Sequence, residues 1–200
     1  MVTLHEEIAR LIEMVIKLYK LVDEMLEILE GNTTEEEYKR IGDLAKIAEE
    51  YKNSITSQAI VFIARFQPLA RDLLVAENLI SIAYDLYRIA RYAREIAILA
   101  LIIKGLKGIV EDDAIDALKL ARNMVREAAN AFTTGDTRKI KMVYEDDDLI
   151  DEVYHKYLNI IARMDKIDSK TVATLLLARH IERIADHATY IARAAEKTWT

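Results

Sequence analysis

Residues 181–192 read Ile181-Glu182-Arg183-Ile184-Ala185-Asp186-His187-Ala188-Thr189-Tyr190-Ile191-Ala192, and their framework occurs a second time earlier in the chain. Leu86-Tyr87-Arg88-Ile89-Ala90-Arg91-Tyr92-Ala93-Arg94-Glu95-Ile96-Ala97 lies on it without a gap, with Arg, Ile, Ala, Ala, Ile and Ala coinciding. The offset is 182 − 87 = 95 residues in a chain of 200. Apolar residues three and four apart make both stretches helical. A helix that returns after about half the chain predicts an internal duplication.

Working outward from the two stretches gives six helices. The first runs from about Leu4 to Leu29, where Leu4, Ile8, Leu11, Val15, Leu18, Val22, Met25 and Leu29 step by fours and threes in a bundle-type seam. Gly31 and Asn32 stop it. Thr33 and Thr34, each followed three residues later by a glutamate, offer a capping box for a second helix that reaches Arg65 or Phe66. Gln67-Pro68 breaks that helix, and Pro68 suits the first turn of a third, which continues to about Ile103. Lys104-Gly105-Leu106-Lys107-Gly108 reads as the linker. A fourth helix spans about Asp112 to Phe132, a fifth Thr137 to Met164 and a sixth Lys170 to Lys197. The expected architecture is all-α: two tandem three-helix bundles related by a pseudo-two-fold axis, residues 1–104 and 105–200.

Composition agrees with long helices and narrows the function. One proline, five glycines and 52% hydrophobic residues leave few breaks. Absence of cysteine removes disulfides and thiolate ligands, so a metal would be held by oxygen or histidine. A net charge of −6 argues against direct nucleic-acid binding. The longest apolar run, Ile96 to Ile103, is far shorter than the ~20 residues of a membrane helix. Met1 to Glu7 lacks the basic lead of a signal peptide, so a cytoplasmic protein is expected.

Within the opening stretch, Glu182 and Asp186 stand one turn apart on one helix face, where like charges repel by a few tenths of a kcal/mol. A cation offsets that repulsion. Arg179 and Arg183, each three residues before a carboxylate, supply one answer as ordinary helix-surface ion pairs. A bound metal supplies another.

Ala64-Arg65-Phe66-Gln67-Pro68-Leu69-Ala70-Arg71-Asp72-Leu73 and Leu177-Ala178-Arg179-His180-Ile181-Glu182-Arg183-Ile184-Ala185-Asp186-His187-Ala188 resemble the two signature stretches of the PhoU family of phosphate-uptake regulators. The likeness extends to the tandem three-helix plan. It implies E(D)xxxD pairs on the second and third helix of each repeat, which together hold iron or zinc clusters on the protein surface. Carried onto this chain, the C-terminal repeat matches through Asp147 with Asp151 and Glu182 with Asp186. The N-terminal repeat departs: Tyr87 and Arg91 take the third-helix places, and the second-helix places fall near Ala45 and Glu49. The implied role is a regulatory adaptor that contacts a phosphate transporter ATPase, a sensor kinase or both, with one metal site instead of two. A homo-oligomer is compatible with it.

Carboxylate pairs on facing helices suit hard or borderline cations: Mg²⁺, Mn²⁺, iron or Zn²⁺. His155, one turn beyond Asp151, and His187, next to Asp186, offer imidazoles that favour iron or zinc. For Glu145 to Asp148 the competing account is a solvated acidic stretch near a helix start. A ferritin-like di-iron site needs Glu-x-x-His, and Ala185 stands three residues after Glu182. No GxSxG, HExxH or Gly-rich phosphate loop occurs, so an enzyme is not expected. Two alternatives stay open: a metal-free helical interaction module, and a metal-dependent phosphate-ester hydrolase.

Overall fold

The computed structural model describes residues 3–199. Met1, Val2 and Thr200 lie outside the described residues, and with them the first two positions of the N-terminal reading. The seam of the first helix is where burial begins. In α1 (Leu4–Glu30) Leu11, Val15, Leu18, Val22, Met25 and Leu29 are buried, while Leu4 and Ile8 pack at the margin. The remaining helices are α2 (Glu35–Phe66), α3 (Arg71–Ile103), α4 (Asp112–Thr134), α5 (Thr137–Ile161) and α6 (Ser169–Trp199). Thr34 caps α2 through the expected box: its hydroxyl accepts the Glu37 N–H, and the Glu37 carboxylate accepts the Thr34 N–H at 2.8 Å.

The third helix starts later than the sequence suggested. Gln67 cannot stay right-handed before a proline, because the ring would clash with it, and it turns left-handed at φ 47°. Pro68 is buried in the connection, not in a first helical turn, and α3 begins only at Arg71. At the other end of α3, Lys104 and Gly105 take positive φ, and the Gly105 N–H returns to the Ala100 carbonyl at 2.8 Å. That closes the helix before the linker.

Among the described residues, α1, α2 and α3 pack on one another, as do α4, α5 and α6. Contacts between the two sets run only through α3 against α6 and α1 against α4. The outer helices α2 and α5 each touch their own set alone. At the centre, Asn78 meets Ala194, Asp85 meets His187, and Tyr92 meets His180. Each step of seven up α3 is matched by seven down α6, so the two are antiparallel with heptad packing. Alanines let them approach: Ala83, Ala90, Ala93 and Ala97 on α3, and Ala185, Ala188, Ala192 and Ala195 on α6, are all buried. The outer seam is tied by Arg122 of α4, which donates to both Asp23 oxygens at 2.7 and 3.1 Å and to Glu30 at 3.2 Å on α1.

Candidate functional site

The four predicted carboxylates lie on the α5–α6 face. Asp147 and Asp151, both half-buried, come from α5, which fully buries only Ile140, Val143, Ile150 and Tyr157. Glu182 and Asp186 come from α6. Burial pushes the Asp147 carboxyl up to about 6, and the charges of Asp151, Asp186, Asp148 and Glu182 add to the rise. All four predicted groups therefore act within one electrostatic neighbourhood. Glu182 is raised as well, first by burial and then by Asp186, although two arginines pull it down. The residue is only 8% exposed, so desolvation of the carboxylate outweighs them.

The arginines hold the α6 pair. Arg179 donates to the two Glu182 oxygens at 2.9 and 2.8 Å, and Arg183 reaches Glu182 at 3.1 Å and Asp186 at 2.8 Å. Arg179 also lies over the Tyr154 ring of α5, which places a guanidinium between the helices. Among the described residues no three carboxylate or imidazole groups converge closely enough to hold an ion in this arrangement. Four carboxylates are the donor type a hard or borderline cation takes, but in this arrangement the arginines hold two of them. A metal there would displace the arginines from Glu182 and Asp186.

The histidines divide. His155 is exposed on α5, and its Nδ1 lies 2.8 Å from the Asp151 carbonyl, so it stays beside the acidic pair. His187 does not. One residue beyond Asp186 is about 100° around the helix, and the His187 ring enters the bundle interface, with Nδ1 2.8 Å from the Asp85 carboxylate of α3. Tyr92 stacks on it, and Tyr84 and Tyr190 meet it edge-on. His187 is therefore a link between the bundles, not an imidazole for Asp186. The Asp85–His187 pair was not anticipated. Its signal was the seven-residue spacing of Asn78, Asp85 and Tyr92, polar positions inside an apolar helix.

In the first set the equivalent place carries the opposite charge. Ala45 is 5% exposed and belongs to the core, so the Ala45–Glu49 alignment cannot stand. The α2 residue that faces Tyr87 is Lys52, its ammonium 5.1 Å from the ring centroid. Tyr87 is the counterpart of Glu182 at the 95-residue offset, and the same offset carries Asp147 to Lys52 and Asp151 to Thr56. The counterparts of four acids are Lys52, Thr56, Tyr87 and Arg91.

The PhoU domain model matches residues 6–100 and 112–195, once on each helical set. This chain belongs to the PhoU family. It is 32% identical over 193 residues, 90% of this chain and 85% of the relative, to the phosphate-specific transport system accessory protein PhoU homologue of Aquifex aeolicus. With the Synechocystis protein of the same description, identity is 28% over 77% of this chain and 70% of the relative. The match to the Caulobacter vibrioides homologue, at 30% identity, spans 64% of that protein. The crystal structure of PhoU from Pseudomonas aeruginosa has the same fold, with a TM-score of 0.89 over 98% of both chains at 20% identity. The regulatory protein PhoU from Streptococcus pneumoniae superposes with a TM-score of 0.79 at 22% identity, over 98% of this chain and 95% of that one. In this PhoU chain the first signature stretch builds the α2–α3 turn, where Gln67 and Ala70 have positive φ. The second builds the α6 turn that carries Glu182 and Asp186.

Proposed function

We propose that this chain is a regulatory adaptor of phosphate uptake and signalling that binds a metal ion or cluster through its C-terminal repeat alone. The adaptor role is supported by the family match across both halves and by relatives described as accessory proteins of the phosphate-specific transport system. It carries with it the division into units 1–104 and 105–200. The metal role is supported by the two carboxylate pairs that α5 and α6 carry to one face, Asp147 with Asp151 and Glu182 with Asp186, whose mutual repulsion adds to the rise of the Asp147 carboxyl. Such a cluster binds a cation to relieve its own repulsion, a proton in the absence of anything better. Asp147, Asp151, Glu182 and Asp186 would hold the ion, with His155 beside Asp151 as a nitrogen donor. Iron or zinc is the assignment, with Mg²⁺ or Mn²⁺ as the oxygen-only alternative.

The ion would supply positive charge on an acidic face. Arg179 and Arg183, freed from Glu182 and Asp186, would then point outward as unpaired guanidiniums. Metal occupancy would thereby change which charges the α5–α6 face shows to a partner, and a transporter ATPase or a sensor kinase is the partner the family description favours. No described helix is long and apolar enough to cross a membrane, so contact with a transporter would be through its soluble parts.

Metal content separates the readings. Protein purified without chelator is expected to carry iron or zinc at stoichiometric level, and Glu182→Ala/Asp186→Ala to lose it. Equal substoichiometric metal in both would sink the metal role and leave a metal-free interaction module. Co-purification with a transporter ATPase or sensor kinase tests the adaptor role, and recovery of neither would count against it. Turnover of phosphate esters that disappears in the double variant would move the reading to a hydrolase.

A further inference from the structure

The charge reversal in the first repeat opens onto a groove of about 850 Å³ between α2, α3 and the C-terminal end of α6. Three cations line it: Lys52 from α2, and Arg193 and Lys197 one turn apart on α6. None is inherited from the repeat. At the 95-residue offset their counterparts are Asp147, Ile98 and Ile102, one acid and two exposed isoleucines. In a chain of net charge −6, three cations gathered on one concavity against two acids form a local reversal of field. One of those acids, Glu77, is exposed, and the other is Asp85, already engaged by His187.

The rest of the lining suits a phosphorylated ligand. Thr56, Ser57 and Ser81 place hydroxyls on the wall; Ser57 and Ser81 can donate to a phosphate oxygen, while Thr56 donates to the Lys52 carbonyl at 2.9 Å. Lys52 meets neutral groups, the Asn53 side-chain oxygen and the Tyr87 ring, so its charge is not spent on a neighbouring carboxylate. Tyr84 and Tyr190 are each nearly half exposed at the groove, and both rest edge-on against the buried His187 ring. That fixes two aromatic faces a few ångströms from the cations. A volume in the range of small-molecule sites is far larger than an inorganic phosphate requires.

We propose that this groove binds a phosphorylated small molecule of nucleotide size, with Lys52, Arg193 and Lys197 holding its phosphates and Tyr84 and Tyr190 its base. The site lies across the molecule's first repeat and the end of α6, apart from the acidic α5–α6 face, and does not depend on metal there.

Isothermal titration of the full chain in EDTA at low salt tests this with ATP, pyrophosphate, orthophosphate and adenosine. ATP is expected to bind in the micromolar range, pyrophosphate more weakly, orthophosphate weakest and adenosine not at all. Lys52→Glu/Arg193→Glu should weaken ATP by about a hundredfold, roughly tenfold for each charged contact removed. Lys39→Glu/Lys119→Glu, the same charge change far from the groove, should stay within about threefold, as general electrostatics allow. Should the reversal variant fail to fold, Lys52→Gln/Arg193→Gln makes the same comparison. Pyrophosphate binding as tightly as ATP would assign the site to phosphoryl groups alone and remove the base from the proposal. No binding of either compound, or equal ATP affinity in the groove variant, would overturn it.

Discussion

Asp147→Asn is expected to stabilise the protein in the absence of divalent cations, and only above the acid range. Asp147 has its carboxyl raised from 3.8 to about 6, with burial the larger cause and neighbouring acids the next. At 1.36 kcal/mol for each tenfold change in ionisation, that corresponds to about 3 kcal/mol for a fully buried group. Asp147 is half-buried, and solvent screening reduces the figure to about 1 kcal/mol. The sign follows from proton binding. Between about pH 4 and pH 6 the folded state holds a proton that the unfolded state has released, so wild-type stability falls as pH rises through that window. Asparagine has no such titration and keeps what the wild type loses. Urea unfolding in EDTA should therefore give Asp147→Asn an advantage of about 1 kcal/mol at pH 8, a Tm higher by about 2–4 °C for a chain of this size. The advantage should shrink towards zero near pH 4. Addition of Zn²⁺ should reverse the order, because the wild type then gains a ligand that binds the folded state. A variant that is less stable than wild type at pH 8 in EDTA, or whose advantage does not change with pH, would refute the account of Asp147 as a strained acid in a carboxylate cluster.

Two further substitutions test the frame that carries the site. His187→Ala leaves the buried Asp85 carboxylate without its 2.8 Å partner and should cost about 3 kcal/mol; Asp85→Ala/His187→Ala should cost less than the two single changes together by more than about 1 kcal/mol. Additive costs in urea titrations would show that the pair is not coupled. Gly135 closes α4 at φ 73°, and an added Cβ would stand 3.1 Å from the Trp199 ring. Gly135→Ala should lose about 1–2 kcal/mol and shift the emission of the single tryptophan, and unchanged emission with unchanged stability would contradict that packing.

Most of the frame was legible because helix periodicity and capping are local. The α1 seam, the Thr34–Glu37 box and the helix boundary at Ile103 all depend on residues within a few positions of one another. Pro68 misled for the same reason. A proline suits a first helical turn in general, but here the left-handed Gln67 and the positive φ of Ala70 set the chain direction and delay α3 to Arg71. The four carboxylates were legible as two i,i+4 pairs, and their common neighbourhood follows from α5 packing on α6. What spacing alone could not supply was which neighbouring element each face of a helix meets. Asp186 and His187 are adjacent in sequence, yet one meets Arg183 and the other Asp85. The Ala45–Glu49 alignment departed from the 95-residue offset, which carries Asp147 to Lys52 and Asp151 to Thr56, and the contact of Lys52 with Tyr87 agrees with that offset.

The PhoU domain model matches both helical sets, yet the two differ in charge at corresponding positions. Where α5 and α6 gather four acids, α2 and α3 present Lys52, Thr56, Tyr87 and Arg91. Loss of one acid at a time from a cation-binding face would leave the remaining acids with less repulsion and no reason to attract a lysine. A second function explains the lysine better than simple decay, because Arg193 and Lys197 reach the same groove from α6, the helix that also carries Glu182 and Asp186. One helix thus carries two acids of the proposed metal site and two cations of the proposed groove. The Asp85–His187 pair stands between them, with Tyr84 and Tyr190 on the groove side and its own chain neighbour, Asp186, on the acidic side. A ligand that shifted α6 along its seven-residue steps against α3 would have to break that pair, so coupling between the two sites, if measured, should vanish in His187→Ala. Equal coupling in wild type and in that variant would place its path elsewhere.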